Sequence, residues 1–111
     1  MSHQKFQECM DACVACAAAC NYCAASCLSE DDVKMMTKCI RLDLECAAIC
    51  RSAAELMSLG SEYSAQLCRL CADICRACAE ECSRHEMEHC QVCAEVCGRC
   101  AELCEKMATA A

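Results

Sequence analysis

Cysteine recurs along this 111-residue chain at alternating steps of three and four residues, and that spacing constrains the fold more than any other feature. One run passes through Cys9, Cys13, Cys16, Cys20, Cys23 and Cys27, a second through Cys68, Cys71, Cys75, Cys78 and Cys82, a third through Cys90, Cys93, Cys97, Cys100 and Cys104. Such alternation averages about 3.5 residues per step and marks one face of an amphipathic helix. Between the first and second runs it continues through Met36, Cys39, Asp43, Cys46, Cys50, Ala53 and Met57, a diluted copy with one carboxylate in mid-seam. Four seams call for four helices.

The rest of the composition agrees. Proline is absent and glycine occurs twice, so almost nothing interrupts helix-forming sequence. Ser29 followed by Glu30, Asp31 and Asp32 predicts a helix N-terminus with acids in its first turn, and Gly60-Ser61 predicts a helix end followed by the next cap. The step of eight from Cys82 to Cys90 breaks the phase, and Ser83 with Glu86 is the expected cap of a last helix. These signals place helices at about 3–28, 31–58, 62–83 and 87–108. Short connections make successive helices antiparallel neighbours, so residues 1–111 are expected to form one all-α domain, an up-down-up-down four-helix bundle. A second apolar stripe lies one residue from the seam: Leu42, Ile49 and Leu56, then Leu67, Leu70 and Ile74, then Val92, Val96 and Leu103. It either supplies hydrophobic burial that thiols do not, or forms a subunit interface.

Nineteen cysteines mean different things in different compartments. The N-terminus shows no basic segment leading into an apolar run, and no stretch is expected to span a membrane. A cytoplasmic, reducing location is therefore expected, where thiols stay reduced and open to metal. Net charge is −7 and aromatics number three, which argues against nucleic acid as a partner.

On a helix, residues three or four apart carry Cβ atoms about 5–6 Å apart, so two thiolates can clasp one ion. Cu(I) is the soft cation that thiolates select. Zinc prefers four ligands around one closed site, and each four-cysteine zinc site leaves two negative charges uncompensated in a core whose seam has no lysine or arginine. One Cu(I) per thiolate is neutral, which points to multiple ions per chain, on the order of one per cysteine. All the cysteines named, Cys39, Cys46 and Cys50 included, are candidate ligands. The expected function is storage or sequestration of Cu(I), with no catalysis. The alternative is a metallothionein-like binder of Zn(II), Cd(II) or Hg(II).

The topology collects Cys27, Met35, Met36 and Cys39 with Cys82, His85, Met87, His89 and Cys90 at one end of the bundle. His85, His89, Met36 and Met87 are therefore candidate ligands at the mouth where copper enters. Phe6, Met10, Leu56, Met57, Leu59, Tyr63, Leu67 and Met107 gather at the other end, which should be largely plugged. Asp43 is a hard group among soft ones: it hydrogen-bonds a thiol, contributes an oxygen contact, or pairs with Arg41 if the helix is rotated. His3 is expected to be solvated.

Two local motifs carry little weight. His85-Glu-Met-Glu-His89 fits the zinc-protease pattern, but no third ligand is in view and it falls at a turn. Cys97-Gly-Arg-Cys100 looks like a redox pair, yet it is one step of a longer seam without a βαβ setting.

The four seams, together with Cys82-Ser-Arg-His-Glu-Met-Glu-His-Cys90-Gln-Val-Cys93 and Cys39-Ile-Arg-Leu-Asp-Leu-Glu-Cys46-Ala-Ala-Ile-Cys50, resemble the cytosolic branch of the bacterial copper storage proteins over essentially the whole chain. The resemblance implies a bundle that loads its core with many Cu(I) ions, histidines near the open end, and assembly as a homotetramer. Met87 stands where that branch is expected to carry a further histidine. Copper ions, delivered via copper chaperones or small thiols, are the expected partners.

Overall fold

The computed structural model describes residues 3–109, with side chains from Phe6 onward. His3, expected to be solvated, falls outside the described side chains. Helices α1 (His3–Cys27), α2 (Thr37–Ser58), α3 (Ser64–Ser83) and α4 (Glu88–Thr109) run alternately up and down, each packed on its sequence neighbours, with α1 closing on α4. The bundle is narrow, 48 by 18 by 18 Å. Its slimness follows from the seam: cysteine is small, and Ala17, Ala24, Ala47, Ala53, Ala72 and Ala101 are buried beside it, so the helices approach closely. A strict 3.5-residue repeat drifts by about 20° per heptad on a straight helix. Left-handed coiling is what such a repeat calls for if its seam is to stay on the axis.

All three expected junctions exist, but two are built differently. No α-helix starts at residue 31: residues 28–32 form a turn, Val33–Met36 a single 3-10 turn, and α2 begins at Thr37. Ser29 caps no helix start; its amide bonds the Ser26 carbonyl, a helix-end contact of α1. Likewise Ser83 belongs to the end of α3, its hydroxyl donating to the Glu80 carbonyl at 2.7 Å. The Gly60 junction is as expected. Gly60 has φ 67°, its amide bonds the Met57 carbonyl and the Ser61 amide reaches back to Leu56, the double closure of a helix by a left-handed residue. A Cβ at Gly60 meets nothing within 4 Å, so Gly60→Ala isolates the backbone penalty. It should lower stability by about 1 kcal/mol in a urea melt.

The second stripe is only partly used for burial within the bundle. Leu42, Ile49, Leu67, Ile74, Val96 and Leu103 pack partly buried against the thiol core, whereas Leu70 and Val92 are about half exposed. One helix is more apolar in composition than the sequence reading allowed. The Phe6–Cys27 stretch is long and apolar enough by composition to cross a membrane. Its apolarity comes largely from alanine and cysteine, and all six cysteines point into the bundle with 1% exposure or less. That is the pattern of a core helix.

Candidate metal centre

Every one of the nineteen cysteines is buried and unbonded to another. The sulfurs form a continuous column. At one end Cys23, Cys27, Cys39 and Cys90 lie within 4.8 Å of one another; further in come Cys20, Cys78, Cys93 and Cys97, then Cys16, Cys46, Cys50 and Cys75, then Cys13, Cys71, Cys100 and Cys104. Cys9 continues the column through Cys104 at 3.7 Å. Cys68 closes it, its thiol 3.7 Å from the Met57 thioether.

The seam spacing points to pairs of thiols on one helix, and such pairs exist at 3.7–4.0 Å, as between Cys71 and Cys75 or Cys46 and Cys50. Several contacts between helices are shorter still: Cys16 to Cys97 and Cys20 to Cys97 at 3.4 Å, Cys46 to Cys75 at 3.5 Å, Cys50 to Cys71 at 3.6 Å. The natural ligand group is therefore a four-thiol cage drawn from several helices. Four sulfurs about 2.3 Å from one ion stand about 3.8 Å apart, so cage size alone admits a tetrahedral ion. Sharing is the more telling property. Cys16 and Cys46 belong to two cages, as do Cys20 and Cys97, so separate closed sites compete for the same sulfurs while bridged clusters do not. Electrostatics agrees. Among the described residues the only buried groups that are polar or charged are Asp43, Ser64 and Glu81, and no basic side chain is buried. Nothing in the core offsets excess thiolate charge except the metal itself.

Asp43 is fully buried within the column. Its Oδ1 accepts from Cys78 at 3.2 Å, Cys93 at 3.4 Å and Cys82 at 3.5 Å, and its Oδ2 faces Cys39 at 3.8 Å. Of the three roles open to it from sequence, the thiol hydrogen bond is present and the Arg41 pair is not. Arg41 instead pairs with Glu45 on the surface. Burial pushes the Asp43 carboxyl up to about 8, assisted by the neighbouring Cys93. Burial likewise pushes two of the thiols at the His end up, Cys90 to about 11 and Cys27 further.

The candidate mouth residues separate. His89 meets the column, its Nδ1 lying 3.5 Å from both Cys23 Sγ and Cys90 Sγ, while Nε2 binds Glu30 Oε2 at 2.9 Å. His85 turns to Glu81, Nε2 to Oε2 at 3.0 Å, and among the described residues no thiol bonds its ring. Met36 is fully buried in the core cluster, and Met87 packs partly buried against it. Met35 is 69% exposed. At the far end Phe6, Met10, Leu67 and Met107 pack on the core as expected of a plug, but Leu59 and Tyr63 are exposed.

A buried four-helix column of shared thiols with an imidazole at one end can be set beside known proteins. The family model "copper storage protein" matches residues 2–109. The chain belongs to the copper storage protein family. Among solved copper storage proteins, Cu(I)-bound BsCsp3 from Bacillus subtilis is 46% identical with a TM-score of 0.91, covering 95% of this chain and 99% of that one. A cytosolic copper storage protein from Streptomyces lividans, solved with five coppers, is 39% identical with a TM-score of 0.92 over 96% of this chain and 93% of that one. The cysteine-rich protein YhjQ of Bacillus subtilis is 47% identical over 86 residues, 78% of this chain and 80% of its own.

In this copper storage protein, three side chains join the site without being evident in the sequence as parts of it. Met57 has the composition of an apolar plug, although its place on the 3,4 alternation already marks it as facing the seam. Glu30 and Glu81, which hold the two histidines, give different signals. Glu81 lies four residues before His85, a helix-neighbour spacing. Glu30 is 59 residues from His89, and only the folded bundle brings them together.

Proposed function

We propose that this chain is a cytosolic store for Cu(I), which it takes up as many ions per molecule bridged by the thiolates of the column. The observation that carries this is the fusion of the four-thiol cages in a core without a buried cation. Shared thiolates neutralised one for one by Cu(I) leave no net charge in the bundle, whereas a series of Zn(II) sites leaves two negative charges each. The nineteen cysteines are the ligands, joined at the mouth by the His89 imidazole, with His85, Met36 and Met87 as further donors for ions in transit. Asp43 orients thiols and contributes an oxygen contact in mid-column. No step of covalent chemistry is assigned, and the protein is not an enzyme.

Anaerobic titration of the reduced protein against a competing Cu(I) chelator tests the store directly. Saturation is expected at on the order of one ion per thiol, with Zn(II) unable to displace the copper. A plateau at a few equivalents, or equal competition by Zn(II), overturns it.

The family resemblance implies a homotetramer, and copper chaperones or small thiols are the proposed route of delivery. Val14, Leu44, Leu70 and Val92, each about half exposed or more, supply apolar surface of the kind that assembly buries.

A further inference from the structure

Glu30 lies in the turn that follows α1, and its side chain is only 35% exposed because it reaches across to His89 on α4. The His89 ring is 13% exposed and uses both nitrogens: Nε2 is 2.9 Å from Glu30 Oε2, and Nδ1 is 3.5 Å from two thiols, Cys23 on α1 and Cys90 on α4. A neutral imidazole has one N–H, and an ionised carboxylate can only accept. The proton therefore sits on Nε2 wherever this pair is made, and Nδ1 is left with a lone pair aimed between two sulfurs. Without the carboxylate, nothing on the Nε2 side selects that tautomer.

We propose that Glu30 is a positioning residue for copper uptake: it fixes His89 in the Nε2-protonated form, so that Nδ1 with the Cys23 and Cys90 sulfurs makes a preformed three-donor acceptor for Cu(I). This rests on the storage function above and names the residue that readies its entrance. An arriving ion binds Nδ1 through the existing lone pair, with no proton to remove. The two thiols then ligate as thiolates, and each releases its proton to solvent. The ring and carboxylate also border a cavity of about 510 Å3 between α1 and α4, lined by Tyr22, Met87 and Glu88 among others. Of the three donors His89 borders that open side, while Cys23 and Cys90 are sealed behind it. A carboxylate behind a ligating imidazole is a general device for fixing ring orientation, and losing it typically weakens a site about tenfold or more. His85 offers an internal contrast. Its partner Glu81 also takes Arg84 at 3.0 Å, and no thiol waits on the other side of the ring.

The test uses the full chain, first metal-free and labelled with 15N. At about pH 8, above the ordinary histidine range, long-range 1H–15N spectra should show His89 with its proton on Nε2. Glu30→Ala should move His89 to a tautomer mixture, whereas Glu30→Gln, whose amide oxygen still accepts, should keep the wild-type pattern. In stopped-flow loading, the first equivalents of Cu(I) should enter about tenfold more slowly in Glu30→Ala and at nearly the wild-type rate in Glu30→Gln, with total capacity unchanged in both. An unaltered His89 tautomer in Glu30→Ala overturns the proposal. So does a Glu30→Gln protein as slow as Glu30→Ala, because charge attraction rather than positioning then governs uptake. Failure of the storage function itself appears separately, as a low capacity in the wild-type chain with the tautomer pattern intact.

Discussion

Loading with Cu(I) is expected to raise the midpoint of thermal unfolding by more than about 20 °C. A ligand that binds only the folded form contributes about 4 kcal/mol per site at a thousand times its dissociation constant. Two such sites already exceed what a domain of this size needs for that shift, at roughly 4 °C per kcal/mol. The metal-free bundle starts from modest stability because its core is cysteine and alanine, side chains that bury little apolar surface each. Differential scanning calorimetry of the reduced protein with and without a full complement of Cu(I), under argon, measures the shift. An increase of only a few degrees would mean that the column is occupied weakly or at a few positions, against the storage function.

The second large effect concerns the metal-free protein and pH. The Asp43 carboxyl is pushed up to about 8 in the folded bundle from an ordinary value of 3.8. Between those values the folded state holds a proton that the unfolded state has lost, so the folded state binds more protons and stability falls as pH rises. The slope is at most about 1.4 kcal/mol per pH unit, and the loss is complete once pH passes the folded value. Thermal melts of the reduced, metal-free chain should therefore drop by roughly 10 °C from pH 5 to pH 8. Asp43→Asn keeps a polar group of the same shape and removes the titration, so its melting temperature should vary much less over that range. Equal slopes in the two proteins would show that Asp43 is ionised, or free to reach water, in the fold.

Much of this was legible because a periodic pattern and a packing geometry are the same information. A cysteine every 3.5 residues on four segments leaves one efficient way to bury four seams, around a common axis. Gly60 was equally readable, since only a left-handed residue closes a helix that way. The capping serines were not: Ser29 and Ser83 have the composition of helix starts but act at helix ends, Ser29 through its amide and Ser83 through its hydroxyl, each on a carbonyl behind it. Local sequence does not distinguish those uses. The histidines show a different limit. His85 and His89 look equivalent at i and i+4, yet α4 begins at Glu88, so His85 lies in the loop and His89 on the helix. A helical neighbour relation that would have placed both on one face does not exist between them. The Glu30 contact lies beyond any local pattern, because it depends on where the first connection passes over the last helix.

The sharing of sulfurs between neighbouring cages gives the column the properties of a one-dimensional lattice. An ion in one cage passes to the next by exchanging a single sulfur at a time, because Cys16, Cys20, Cys46 and Cys97 each already belong to both sides of such a step. Ions need not cross water to redistribute, and a vacancy at the mouth is refilled from within. With the His89 end as the proposed entrance, the last cation admitted would stand first in the queue to leave. Release then depends on the occupancy of the outermost cage, whatever the depth of the reserve behind it.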